Sequence, residues 1–129
     1  MIESSGGNAA HHLADVTDPA AGAAMVDATV QRFGRLDFLV NNAAVRVEPR
    51  FEEIKLEEWR RVISIVLDGA FICTQACLPH LIRAGGGTVV NIGGQTAHKG
   101  ASGRAHVIAA KSGVAGMTRA LALDLAPHH

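Results

Sequence analysis

The sequence predicts an α/β fold with a parallel sheet, because short apolar stretches alternate along the chain with longer amphipathic ones. The short stretches have the composition of buried strands, and each ends in small or polar residues. The longer stretches repeat apolar residues at spacings of three and four, as helices do. We therefore expect residues 1–129 to form a single domain of sheet and helices, with any ligand at the carboxyl ends of the strands.

Composition limits the classes of function. The chain has 129 residues, 48% of them hydrophobic and 19% charged, which predicts one globular domain with a core. Twelve basic residues balance twelve acidic ones without charge runs, so we expect a small-molecule partner and no nucleic acid. We expect no membrane segment, because no leader is visible and no apolar run approaches ~20 residues. Cytoplasmic localisation is therefore expected, and Cys73 and Cys77 lack the spacing of a redox or zinc pair.

The first strand and helix are predicted from local signals. Residues 10–16 are mostly apolar and indicate a buried strand, which stops before Asp18 and Pro19. Asp18 suits the N-cap of a helix, and Pro19 suits its first position, where a missing N–H costs nothing. Gly34 is expected to end this helix.

The remaining elements follow in the same order. Residues 36–40 predict a second buried strand that leads into Asn41, Asn42, Ala43 and Ala44. A long helix is expected over residues 56–84, with Pro79 kinking its last turns. Residues 88–92 are rich in β-branched side chains and predict a third strand, and a last helix is expected from about residue 104.

Four short motifs occur in order along the chain: Asp15-Val16, Leu39 to Ala44, Val90 to Ile92, and Ala109 to Val114. In these motifs the chain resembles the short-chain dehydrogenase/reductase family, including its members similar to 3-oxoacyl-ACP reductase. The resemblance implies a Rossmann-like three-layer α/β/α fold with a parallel sheet. The fold would be incomplete, because the family's first strands, its glycine-rich cofactor loop and its last strands have no counterpart here.

The resemblance also implies a chemistry, hydride transfer between NAD(H) or NADP(H) and an alcohol or ketone. Asp15 and Val16 would contact the adenine, and the chain from Asn41 through Asn42 and Ala43 to Ala44 would lie along the cofactor. Lys111 would bind the nicotinamide ribose and lower the pKa of a tyrosine one helical turn earlier. The choice between NAD and NADP stays open, and the family's assembly would make the protein a homodimer or homotetramer.

The sequence departs from the family at the reacting groups. Val107 occupies the tyrosine position, and the chain contains no tyrosine. Gly94 falls where the family has a serine that polarises the substrate oxygen, and Val66 falls where it has an asparagine. Valine and glycine have no side-chain proton to give. Of the family's four catalytic positions, only Lys111 is retained.

Histidine is the usual general acid near neutral pH, so His106 or His98 is a candidate replacement for the tyrosine. No histidine has metal-ligand spacing, so no metal site is expected. Three interpretations remain open: an NAD(P)-dependent oxidoreductase, a non-catalytic binding or assembly module with the same fold, and a truncated family member without independent function.

Overall fold

The computed structural model describes residues 2–128. Its longer helices are α1 (Pro19–Phe33), α2 (Leu56–Ile63), α3 (Gly69–Arg83) and α5 (Ala105–Asp124), and α4 (Thr96–Lys99) is a single turn. The strands are β1 (Phe38–Asn41) and β2 (Thr88–Asn91). They pair in parallel, with Phe38 opposite Thr88 and Asn41 opposite Asn91. The predicted parallel α/β class, Rossmann-like and incomplete, is confirmed.

Helix α1 begins and ends where the sequence predicts. The side chain of Asp18 accepts a hydrogen bond from the backbone N–H of Ala20 at 2.8 Å, which satisfies one of the free donors of the first turn. Pro19 is the first helical residue. Gly34 adopts a left-handed conformation with φ of 83°, which glycine enters without steric cost, and its N–H closes the helix on the carbonyl of Val30.

The predicted long helix is interrupted by a π-helical turn at Ser64–Asp68, which separates α2 from α3. Helix α3 continues past Pro79 to Arg83. By length and composition alone, residues 56–83 pass as a membrane-spanning stretch, which the sequence analysis did not anticipate. One face of this stretch is buried against other elements of the fold, as in the core helix of a globular protein, through Val62, Val66, Ala70, Cys77 and Leu81.

The helices cover one face of the two-stranded sheet. Leu39 and Val89 point toward α1 and α3, where they pack against a cluster formed by Val26, Cys77 and Leu81. A second cluster joins α2, the π-helical turn, α3 and α5 through Val62, Val66, Ala70, Ala110 and Val114. On the opposite face of the sheet, Phe38 and Val90 are exposed. In the described part of the chain, the sheet and one layer of helices therefore position the residues at the strand ends.

The predicted strand at residues 10–16 is wrong. Residues 10–15 have no strand conformation, and the side chain of Leu13 is 95% exposed. A strand needs a neighbour for its backbone hydrogen bonds. In the described part of the chain the sheet contains β1 and β2 only, and neither pairs with this segment.

Candidate functional site

A cavity of about 210 Å³ opens at the carboxyl ends of β1 and β2. Its wall combines the end of β1 with residues from α1, α3 and α5 and with the residue after β2. The wall includes most of the residues that the sequence analysis expected at a cofactor: Val16, Asn41, Asn42, Ala43 and Lys111. These residues are spread over most of the sequence, and the parallel sheet gathers them at one edge.

Asn41 is held in place by a network of side-chain hydrogen bonds. Its amide nitrogen donates to the Oδ1 of Asn91 at 2.8 Å and to the Oγ1 of Thr74 at 3.0 Å. The amide nitrogen of Asn91 in turn donates to the Oγ1 of Thr118 on α5 at 2.9 Å. The network connects both strand ends to α3 and α5, so the edge of the cavity is rigidly positioned.

Asp15 and Val16 lie at the start of the turn before α1. The Oδ1 of Asp15 accepts hydrogen bonds from the backbone N–H and the hydroxyl of Thr17, each at 2.8 Å. These bonds, the backbone one most strongly, hold the pKa of Asp15 below its ordinary value, so the exposed carboxyl group is charged at neutral pH. Val16 lines the cavity, while Asp15 lies outside its wall with one carboxylate oxygen directed to no described partner.

Lys111 lies on α5 one turn after Val107, and its side chain reaches across to β2. The ammonium group donates a hydrogen bond to the carbonyl oxygen of Ile92. Partial burial lowers the pKa of Lys111, because the charged form loses solvation. The carbonyl partner compensates part of that loss and fixes the ammonium group at the cavity wall.

A second cavity of about 250 Å³ adjoins the first, and Lys111 lines both. Gly94 and Val107 lie in its wall, so the two positions that lack the expected hydroxyl groups face the same space. Ala44 also lines it, beside two arginines that the sequence analysis did not consider, Arg46 and Arg104. No sequence signal connects these arginines, because they are far apart along the chain and meet only through a shared carboxylate, that of Glu48.

His106 is not brought to either cavity that Lys111 lines. Its side chain is completely buried between α5 and α2, with Nε2 at 3.4 Å from the Oε1 of Glu58. Neither ring nitrogen of His106 nor this oxygen has a hydrogen-bond partner among the described residues. His98 is exposed on α4. Neither histidine lines a cavity beside Lys111, and the replacement of the tyrosine by a histidine stays a prediction.

Metal coordination has no support in residues 2–128, where no group of three histidine, cysteine, aspartate or glutamate side chains is close enough to hold an ion. Cys73 and Cys77 are free and buried on α3. Burial raises the pKa of the Cys77 thiol to about 11, and the neighbouring Cys73 adds to the rise. A neutral buried thiol is a poor nucleophile and a poor ligand.

A parallel α/β fold with an open cavity at its strand ends defines a class of proteins that bind their ligands at that edge of the sheet. Within that class the assignment is specific, since the family profile described as short chain dehydrogenase matches residues 1–129. The chain belongs to the short-chain dehydrogenase family.

Individual relatives agree with this assignment. The chain is 43% identical to the trans-4-hydroxycyclohexanecarboxylate dehydrogenase of Sinomonas cyclohexanicum over 92% of its length and 45% of that protein. It is 36% identical to a 3-oxoacyl-[acyl-carrier-protein] reductase of Thermotoga maritima over 89% of its length and 47% of the relative. A crystal structure from Sinorhizobium meliloti 1021, provisionally named a short-chain alcohol dehydrogenase, superimposes with a TM-score of 0.92 at 37% identity. The superposition covers 98% of this chain and 50% of the other. The chain thus spans about half the length of these relatives.

Proposed function

We propose that this chain forms the central part of an NAD(P)-dependent oxidoreductase that transfers hydride between a nicotinamide cofactor and a small alcohol or ketone. The observation that carries the proposal is the convergence of Val16, Asn41 and Lys111 on one cavity at the strand ends. The bound cofactor would supply the hydride chemistry. The chain would supply binding, orientation and charge.

The residues present fit a dinucleotide. Val16 offers an apolar contact, and the exposed Asp15 carboxylate has an oxygen available to accept a hydrogen bond from an amino group. Ala43 and Ala44 are small and exposed, so they allow a ligand to approach the backbone closely. Lys111 carries two further N–H donors beside the one that it gives to Ile92, and these suit ribose hydroxyl groups.

The names of relatives support a small-molecule substrate. They include a trans-4-hydroxycyclohexanecarboxylate dehydrogenase and a D-beta-hydroxybutyrate dehydrogenase, the latter from Rhizobium meliloti and 34% identical over 95% of this chain. Each name describes an alcohol that is oxidised. We infer that the whole protein acts on a compound of this kind in the cytoplasm.

A second candidate function is a non-catalytic module that keeps the fold and the ligand-binding edge. It is favoured by Val107 and Gly94, which line the cavity beside Lys111 and offer no hydroxyl group to the substrate. Proton donation would then have to come from elsewhere or not occur. Both candidates share cofactor binding and differ in turnover, so two experiments separate them.

The first experiment is a calorimetric titration of the chain with NADH and with NADPH. Saturable binding is expected, and it should weaken at least tenfold in Lys111→Ala, because that change removes a cationic donor from the cavity wall. Asp15→Ala should weaken binding as well. Lys99→Ala is the matched control, since Lys99 is an exposed lysine on α4. Absence of binding at millimolar cofactor would overturn the proposal.

The second experiment measures turnover after the hydroxyl groups are introduced. Val107→Tyr together with Gly94→Ser should raise the rate of NADH-dependent ketone reduction by about a hundredfold or more, the range that general acid catalysis contributes. A wild-type rate that already equals the variant's would argue for another proton donor. In that case a His106→Ala, His98→Ala variant should abolish turnover, and unchanged turnover would exclude both histidines.

We also propose a homodimer or homotetramer as the working assembly. The support is the family membership and the apolar side chains exposed on the sheet face opposite the helices. Sedimentation velocity at micromolar concentration tests it, and a single monomeric species would contradict it.

A further inference from the structure

The second cavity has an unusual balance of charge. Its ionisable wall residues are all cationic: Arg46, Arg104 and Lys111. No carboxylate is part of the wall, and the rest of it consists of small or apolar residues together with Thr96. Three cations around a space of about 250 Å³ create a positive potential, which attracts an anion.

Glu48 holds the two arginines and is not itself part of the cavity wall. Its Oε1 accepts hydrogen bonds from the Nε of Arg46 at 2.9 Å and from Arg104. These bonds, with Arg46 first, hold the pKa of Glu48 below its ordinary value, so the carboxylate remains charged. A single carboxylate therefore fixes two guanidinium groups from segments that are distant in the sequence.

Glu48 neutralises one of the three positive charges and leaves an excess of two. Each guanidinium group has five N–H donors, and only some of them are directed to Glu48. The remaining donors of Arg104, whose side chain is 26% exposed, are available in a partly desolvated setting. Guanidinium groups of this kind bind carboxylates through two parallel hydrogen bonds.

We propose that this cavity binds a small organic carboxylate, with Arg104 and Arg46 as the residues that select for the negative charge. Glu48 is a positioning residue that holds both guanidinium groups. If the oxidoreductase function proposed above holds, the anion is the substrate, and its class is a hydroxy or oxo acid whose reacting carbon faces Lys111. The binding itself does not depend on turnover.

The volume of the second cavity accommodates a small acid. Sites for drug-sized molecules usually measure about 300 to 1,000 Å³. A cavity of about 250 Å³ is below that range and suits a compact acid. Benzoate is a suitable probe, and benzamide is its neutral counterpart of nearly the same shape.

The test is calorimetric titration of the chain with benzoate and with benzamide near pH 7, each with and without NAD⁺. Benzoate is expected to bind at least tenfold more tightly than benzamide, and its affinity should fall as salt is raised. Equal affinities for the two probes, or no binding of benzoate in either condition, would overturn the proposal.

Substitution of the two arginines tests whether benzoate binds in the second cavity. Arg104→Gln should weaken benzoate binding about tenfold, because a charge-assisted hydrogen bond is lost. Arg46→Gln should weaken it less, because the Arg46 side chain is 79% exposed and its charge is screened by solvent. Both variants should leave the binding of benzamide unaffected. Arg35→Gln is the matched control, since Arg35 is exposed and paired with Asp37 at the other end of β1. An effect of the control as large as that of the other two variants would indicate general surface charge and contradict the site.

The outcomes distinguish this inference from the proposed function. Binding of NADH that depends on Lys111, without preference for benzoate, would refute the anion site and leave the oxidoreductase proposal standing. Selective binding of benzoate without any binding of NADH would support the anion site and refute the oxidoreductase proposal.

Discussion

Gly69, the first residue of α3, lines the cavity at the strand ends together with Val16. A Cβ at this position would meet the Cγ2 of Val16 at 2.8 Å. Gly69→Ala is therefore expected to displace Val16, to lower the free energy of unfolding by about 1 to 3 kcal/mol, and to weaken NADH binding. Urea denaturation and calorimetry measure the two effects.

Gly116 provides the control for this change. It is a helical glycine in α5, and a Cβ there would meet nothing within 4 Å. Gly116→Ala should raise the free energy of unfolding by about 1 kcal/mol through helix propensity, without altering NADH binding. Similar losses of stability in both variants would show that contact with Val16 is not the cause.

Cys77 yields a prediction about pH. Burial raises the pKa of its thiol in the folded chain to about 11, while the ordinary value is 9.0. The folded state therefore retains this proton at pH values where the unfolded state has lost it. The contribution of this group to stability is constant below about pH 9 and decreases as pH rises toward 11.

Alkylation of the two cysteines measures how buried and how ionised their thiols are. Iodoacetamide at about pH 8 should modify neither Cys73 nor Cys77 in the folded chain and should modify both in guanidinium chloride, because only an accessible thiolate reacts. Rapid modification of the native protein would mean that α3 opens locally at low cost in free energy.

Among the candidate site residues, the position of some follows directly from the element that carries them. Asn41 could be placed at a strand end because it ends β1, whereas Lys111 was expected at the same site only through the family resemblance. Arg46 and Arg104 could not be paired, since the contact through Glu48 exists only after β1, β2 and α5 have packed. The buried contact of His106 with Glu58 could not be predicted either, because it forms only when α5 packs against α2.

The helices differ in how far local sequence determines them. Helix α1 was predicted from cap to cap, because Asp18 and Gly34 act on their immediate neighbours. The π-helical turn at Ser64–Asp68 has no local signal that the sequence analysis used. The strand expected at residues 10–16 failed because strand formation depends on a partner that composition does not reveal.

Substitution of Asp18 tests how much the N-cap of α1 contributes to stability. Asp18→Ala should lower the free energy of unfolding by about 1 kcal/mol, since the N–H of Ala20 loses its acceptor. Asp18→Asn should have little effect, because asparagine caps helices about as well. Chemical denaturation of both variants measures the difference, and equal losses would show that charge rather than hydrogen bonding stabilises this helix end.

For the molecule as a whole, the sheet face away from the helices is the least protected surface. Phe38 is 69% exposed there, and Val40 and Val90, which pair across the two strands, are 57% and 41% exposed. Adjacent exposed apolar side chains on a sheet favour association with another surface. We therefore expect the chain to self-associate as its concentration rises.

Substitution on this face should reverse that behaviour. Phe38→Thr with Val90→Thr is expected to reduce association in sedimentation velocity while changing the free energy of unfolding by about 0.5 kcal/mol or less, because exposed positions contribute little packing. Leu39→Ala is the control on the covered face, where loss of packing should cost on the order of 2 kcal/mol. Undiminished association of the double variant would assign the contact to another surface.

The parallel pairing of β1 with β2 also has a consequence for how the chain reaches its native state. Asn41 and Asn91 are 50 residues apart, and their hydrogen bond closes the whole helical crossover between them. During synthesis at about 5 to 20 residues per second, β1 leaves the ribosome several seconds before its partner. Helices α1 and α3 can pack in that interval, but the sheet cannot form until β2 has emerged. We expect refolding of this chain to be limited by that late, long-range closure.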